Sequence, residues 1–123
     1  MAADRDNPKV SHLCQPLAPP VLRVLANTIA TCNTHHKPVT LCGEMAGRPR
    51  CFLPLFGMGL RRFSMSPAFV PSIKEMVRQT DSREAVAIAQ RVLRMKTVGE
   101  VRGYLTRKTR DVCPSVAFLD LRK

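Results

Sequence analysis

The stretch Pro38-Val39-Thr40-Leu41-Cys42-Gly43-Glu44-Met45-Ala46-Gly47 concentrates the residues of this chain that could do chemistry. A β-prone run, Val39-Thr40-Leu41, ends in a thiol, and glycines at 43 and 47 bracket the loop that follows. Such residues fit a pleated, buried strand, while glycine relaxes the backbone where a side chain must be presented rather than packed. The pattern places Cys42 at a strand end, before a loop able to hold its thiol beside a ligand. A cysteine in that position can also be a small buried residue. Glu44 can accept backbone N–H groups and orient the loop, or remain solvated. Cys32, His35 and His36 raise the question of a metal, but no tetrahedral-site spacing completes the set, and a role at a helix end accounts for the two histidines. The sequence names no chemistry for Cys14, Cys51 and Cys113.

Elements must position these residues. The first twenty or so residues are rich in turn formers and proline and read as a loop. The spacing predicts a helix over residues 19–35, with prolines in its first turn and Leu22, Leu25, Ile29 and Cys32 along one face. Lys37-Pro38 ends it, because the residue before proline avoids helical geometry. After the strand and loop, a short helix is expected over residues 48–56, blemished by Pro54 and closed by Gly57-Met58-Gly59. A second strand is expected over residues 62–66. This alternation favours parallel strands joined by crossover helices. Beyond Pro71, Ile73, Met76 and Val77 mark another helix. Two more carry N-terminal capping signals: Asp81 with Glu84 reaching back, ahead of Ala85, Ile88, Ala89 and Val92, and Thr97 with Glu100. Residues 113–123 are expected to form a loosely held tail.

The 123 residues are enough for one domain with its own core, and 45% hydrophobic content is ordinary for a globular chain. Five cysteines without a secretory leader are expected to be reduced thiols, and no apolar run is long enough for a bilayer. A cytoplasmic location without a membrane partner is therefore expected. The net charge is +11, and residues 61–123 hold 14 of the 20 Lys and Arg. With one tyrosine, no tryptophan and no nucleic-acid motif, the excess reads as a solvated basic face without a specific nucleic-acid partner. The alternative is a basic nucleic-acid or protein-binding module without catalysis, using Arg102, Arg107, Lys108 and Arg110 in salt-dependent contacts.

Several blocks follow one another in an order and at a spacing that belong together. Asp4-Arg5, Ser11-His12-Leu13 with Gln15-Pro16, the Leu41-to-Gly47 stretch, Gly57-Met58-Gly59 and Phe63-Ser64-Met65-Ser66 resemble the C-terminal end of enzyme I. Enzyme I is the phosphoenolpyruvate-protein phosphotransferase of the bacterial sugar phosphotransferase system. The likeness covers nearly all of the chain to about Val112. The cysteine motif is also similar to one in pyruvate phosphate dikinase and phosphoenolpyruvate synthase, but the other blocks look more like enzyme I.

The resemblance implies an α/β fold: a partial TIM (β/α)8 barrel, with the last two βα units and C-terminal helices in residues 1–112. Active-site residues of such barrels stand at the carboxyl ends of the strands. It implies that Cys42 is catalytic and protonates the enolate carbon once the phosphoryl group has left for a histidine on an N-terminal domain, releasing pyruvate. An ordinary thiol, with a pKa of about 8.5, holds a proton at neutral pH and is less strongly hydrated than a carboxylate. The resemblance also makes Arg5 a contact for the phosphate of phosphoenolpyruvate, since a guanidinium fork matches phosphate oxygens. Alone, Arg5 would read as a surface charge beside Asp4 or Asp6. Gly43 and Glu44 would support the thiol. The implied cofactor is Mg2+, whose family ligands fall outside these residues, so no metal ligand is assigned here. The implied partners are phosphoenolpyruvate and pyruvate, the histidine-containing phosphocarrier protein, and a second copy in a homodimer. Two positions depart from the family pattern: Cys14, where tyrosine is usual, and Pro54, in a leucine-rich helix. A whole barrel needs about 250 residues, so the isolated chain is expected to be inactive, with strand edges that call for a partner.

Overall fold

The computed structural model describes residues 7–117. Helix α1 (Pro19–Thr34) opens on two prolines, whose missing N–H groups would have no acceptor in a first turn, and buries Leu22 and Ile29. It ends in a left-handed residue that is not glycine: His36 has φ 52°. His36 N donates to Asn33 O at 3.2 Å and Lys37 N to Cys32 O at 2.8 Å, the paired bonds of a Schellman ending. Histidine is among the residues that tolerate this conformation. Strand β1 (Thr40–Cys42) follows.

Helix α2 (Pro49–Gly57) ends by the same device. Gly59, at φ 98°, donates to Phe56 O, and Leu60 N donates to Leu55 O, both at 3.0 Å. Leu55 and Leu60 are both fully buried, as the hydrophobic contact of this motif requires. Asn33 ties the two endings together by donating from Nδ2 to Gly59 O at 3.3 Å. Each helix is thereby turned into the strand that follows it. Strand β2 (Arg62–Ser64) is shorter than the expected 62–66, because Ser66 leads directly into Pro67 at the head of a 3-10 turn, Pro67–Phe69.

The strands pair in parallel, with Thr40 opposite Arg62, Leu41 opposite Phe63 and Cys42 opposite Ser64. The chain is an α/β protein, rich in helix, around a two-stranded parallel sheet. Among the described residues helices cover one face only: Leu41 and Phe63 pack on the core, while Thr40, Cys42, Arg62 and Ser64 are exposed. The strand expected to be buried is therefore half-covered.

Helices α3 (Val70–Gln79), α4 (Ser82–Leu93), α5 (Val98–Val112) and α6 (Pro114–Ala117) gather around α2. Cys51, Phe52, Leu53, Pro54 and Leu55 of α2 are all buried. Pro54 removes one helical hydrogen bond, but its carbonyl still accepts from Met58 N at 2.9 Å and its ring fills core. Phe52 stacks on Phe56 with centroids 5.3 Å apart and meets Phe63 of β2 at 5.5 Å. Arg61 covers Phe56 at 4.2 Å and donates to the carbonyls of Phe56 and Leu60 at 2.8 and 2.9 Å. Of the expected tail, Cys113 and Val116 are core residues, and residues beyond 117 lie outside the described part.

The caps differ in detail. Asp81 Oδ1 accepts from Arg83 N at 2.7 Å and Glu84 N at 3.1 Å. Glu84, expected to reach back, instead accepts from Lys108 Nζ of α5 at 2.9 Å, which raises the pKa of that ammonium. Thr97 and Glu100 form the full reciprocal box.

Two outcomes follow from these contacts. An added Cβ at Gly57 would stand 2.0 Å from the Ala85 carbonyl oxygen, which is backbone and cannot swing aside. Gly57→Ala should therefore lower unfolding stability by about 2 kcal/mol or more in a denaturant titration. Glu100 is held below the usual glutamate range, first by the Lys96 N–H and then by the Thr97 N–H. A depressed carboxylate stabilises the fold above the unfolded pKa, about 4.3, and that contribution fades as pH falls through the lower folded value. Glu100→Gln should flatten the acid side of the melting-temperature profile below about pH 4.5; superimposable profiles would contradict the role given to the box.

Candidate functional site

Cys42 closes β1 with an exposed side chain. Side chains alternate along a strand, so anchoring Leu41 on the core sends Thr40 and Cys42 to the uncovered face. In this register Arg62 and Ser64 share that face. The carboxyl end of the sheet thus carries a thiol beside a serine, with an arginine one pleat behind. Ser64 lay within a block that the sequence singled out, but no role was attached to it. The signal that finds it is the phase of the second strand relative to the first.

The loop after Cys42 is built on two glycines with different tasks. Gly43 has φ 98° and ψ −165°, a region almost reserved for glycine, although a Cβ there would touch nothing within 4 Å. Its N–H donates to Ser64 O at 3.1 Å, carrying the ladder one step past the thiol. Its carbonyl accepts from Ala46 N at 3.1 Å and starts the 3-10 turn Glu44–Gly47. Gly47 answers to space instead: a Cβ there would lie 2.8 Å from the Phe69 ring. The backbone around Cys42 is therefore held by β2 on one side and by the buried Ala46-Gly47 end of the turn on the other.

Glu44 accepts from Arg48 Nη2 at 3.4 Å, an exposed pair four residues apart that spans the 3-10 turn. Such a pair contributes a few tenths of a kcal/mol and steadies the turn more than the fold. Arg5 lies outside the described residues. His35 and His36 serve the end of α1 through their backbone. Cys51 and Cys113 are buried, while Cys14 and Cys32 are half-buried. Mg2+ demands a near-octahedral set of oxygen ligands. Among the described residues no three His, Cys, Asp or Glu side chains come together, and these residues do not fit such an ion. Among the described residues no helix is long and apolar enough to cross a membrane.

Residues 1–82 match the family profile described as PEP-utilising enzyme, PEP-binding domain. Over 101 residues the chain is 42% identical to a phosphoenolpyruvate-protein phosphotransferase of Buchnera aphidicola subsp. Acyrthosiphon pisum, covering 82% of this chain and 18% of that protein. It is 39% identical over 101 residues to the phosphoenolpyruvate-protein phosphotransferase of Haemophilus influenzae, with the same coverage of 82% and 18%. Over 119 residues it is 36% identical to multiphosphoryl transfer protein 1 of Escherichia coli, covering 95% of this chain and 14% of that protein. The chain spans less than a fifth of the length of these curated relatives.

The geometry sorts the five thiols by access. An aromatic disulfide reagent under native conditions should modify Cys42 first, and Cys51 and Cys113 only on the timescale of unfolding. Peptide mapping after brief exposure checks this, and early labelling of Cys51 ahead of Cys42 would contradict the placement of the loop.

Proposed function

Because the chain belongs to the PEP-utilising enzyme family, matching its PEP-binding domain, we propose that it is the C-terminal segment of a phosphoenolpyruvate-protein phosphotransferase in which Cys42 completes pyruvate. The observation that supports this best is the exposed thiol at the carboxyl end of β1, bonded through Gly43 to the strand that carries Ser64. In this reading β1-α2 and β2-α3 are the last two units of a (β/α)8 barrel, and the uncovered polar face of the sheet looks into its mouth. The identity to phosphotransferases favours this over a non-catalytic basic module.

The chemistry is a phosphoryl transfer followed by a protonation. A histidine nitrogen on an N-terminal domain attacks phosphorus, the bridging P–O bond breaks, and its electron pair stays on the enolate of pyruvate. The methylene carbon of the enolate then takes the proton of Cys42 Sγ, giving pyruvate and a thiolate that regains a proton from water. Arg5 holds phosphate oxygens during the transfer, a task suited to a guanidinium fork. Gly43 sets the direction in which the thiol is presented, and Glu44 steadies the turn through Arg48. The phosphoryl group passes on to the histidine-containing phosphocarrier protein. The complete protein works as a cytoplasmic homodimer with Mg2+, whose ligands come from residues other than those described here, and no step is assigned to the ion. In this reading the 123 residues alone are expected not to turn over phosphoenolpyruvate.

A positioned proton donor contributes about 10²–10⁴-fold. Cys42→Ser in the complete protein should therefore lower pyruvate formation from phosphoenolpyruvate by at least about a hundredfold in a coupled assay, with little change in melting temperature. Turnover at the native rate would refute the role.

A further inference from the structure

We infer that a cleft between the end of α4 and the outer face of α5 binds a small anion carrying two or more phosphate groups. The cleft is open to solvent, has a volume of about 680 Å³ and sets Arg91, Arg94, Lys96 and Arg107 around Gly99 and Gly103. It shares no lining residue with the Cys42 loop, so it is a second site.

The two glycines carry the argument further than the charge does. They stand four residues apart within α5 and so share one helix face. Glycine is among the poorest helix formers, and a folding reason for it is normally a left-handed φ or a close neighbour. Neither residue has a positive φ, and a Cβ at either would meet nothing within 4 Å. The fold therefore does not require glycine at 99 or 103. What the two glycines provide is a shallow bare stretch of helix, where a ligand can lie against backbone between cationic side chains.

The lining names the ligand class. Among the described residues none of the four cations makes a direct ion pair, although Lys96 attracts Glu100 from farther off, whereas nearby Lys108 is engaged by Glu84 at 2.9 Å. Among the described residues Glu100 is the one carboxylate in the wall, and it is turned onto the cap of α5, accepting from Lys96 N and Thr97 N at 3.0 Å each. Three arginines and a lysine against that one committed acid suit an anion of at least two charges, and guanidinium forks match phosphate oxygens in pairs. Tyr104 is only 8% exposed, and the Arg91 guanidinium already lies 4.9 Å from its ring centre. Among the described residues no aromatic face is left in the cleft for a base to stack on, which argues against a nucleobase or single-stranded nucleic acid. A neighbouring cavity continues the cationic strip to Arg110, with Asp111 at its edge. The volume falls within the range of about 300–1,000 Å³ typical of small-ligand sites.

The test is calorimetric titration of the chain with inorganic triphosphate at about 0.15 M salt, where diffuse attraction is screened. One saturable site is expected, with orthophosphate at least about tenfold weaker. Gly103→Leu keeps every charge and fills the bare stretch, and should weaken triphosphate about tenfold or more without lowering the melting temperature. Arg107→Gln should cost about tenfold, and Lys37→Gln, outside the cleft, less than about twofold. Should Gly103→Leu unfold, the comparison of Arg94→Gln and Arg107→Gln with Lys37→Gln decides alone. Equal losses for all three cation variants would make the binding that of a generic polycation and overturn the site. So would native affinity in Gly103→Leu, or an oligonucleotide that binds more tightly than triphosphate and is indifferent to Gly103→Leu.

Discussion

The candidate site depends on one constraint, the parallel register of β1 on β2 with Leu41 and Phe63 turned onto the helices. Two strands of three residues make a sheet too small to hold its own geometry. It is fixed from beneath, where Phe63 meets Phe52, Phe52 stacks on Phe56, and Arg61 closes the column while donating to two carbonyls. Aromatic pairs of this kind add about 0.5–1.5 kcal/mol each beyond the area they bury. Because the period of a strand is two residues, a register slip of one would drive the thiol into the core and expose Leu41. Outward presentation of Cys42 is thus a consequence of inward anchoring of its neighbours.

Helix α2 transmits that constraint to the rest of the chain. It is buried nearly all round, so it serves as floor for the sheet and as centre for α3, α4 and α5 at once. Its crossing of α4 is close enough that Gly57 has no room for a side chain. Both strands leave their helices through the same left-handed ending, and Asn33 bonds one ending to the other. The entry points of the two strands are therefore coupled before the ladder begins. Their exits are coupled again by the Gly43 to Ser64 bond just beyond the thiol.

What was legible in the sequence was what local signals encode. The strand ending at Cys42, the helix beginning at Pro19 and the Asp81 and Thr97 caps each rest on a few adjacent residues, and each stands within a residue or two of its expected place. The parallel pairing followed from the alternation of helix and strand, and the family from blocks in a fixed order. Features set by distant partners were not legible. Glu84 turns to Lys108 because α5 lies across it, not because of its own spacing from Asp81. His36 takes a conformation usually left to glycine, and only the two backbone bonds around it reveal why. Ser64 joins the site through register, and Cys113 with Val116 is buried by packing that a terminal position concealed. Gly99 and Gly103 look like ordinary helix residues until the space beside them is seen.

The central claim is that Cys42 hands its own proton to one face of the enolate. The stereochemistry of the new methyl group tests that most directly. With phosphoenolpyruvate carrying a single deuterium of known geometry at the methylene carbon, turned over in tritiated water by the complete protein, pyruvate should form with one methyl configuration. Cys42→Ala should leave protonation to solvent and give both configurations in equal measure. A single configuration from Cys42→Ala would mean that another group delivers the proton, and the account of this site would be wrong.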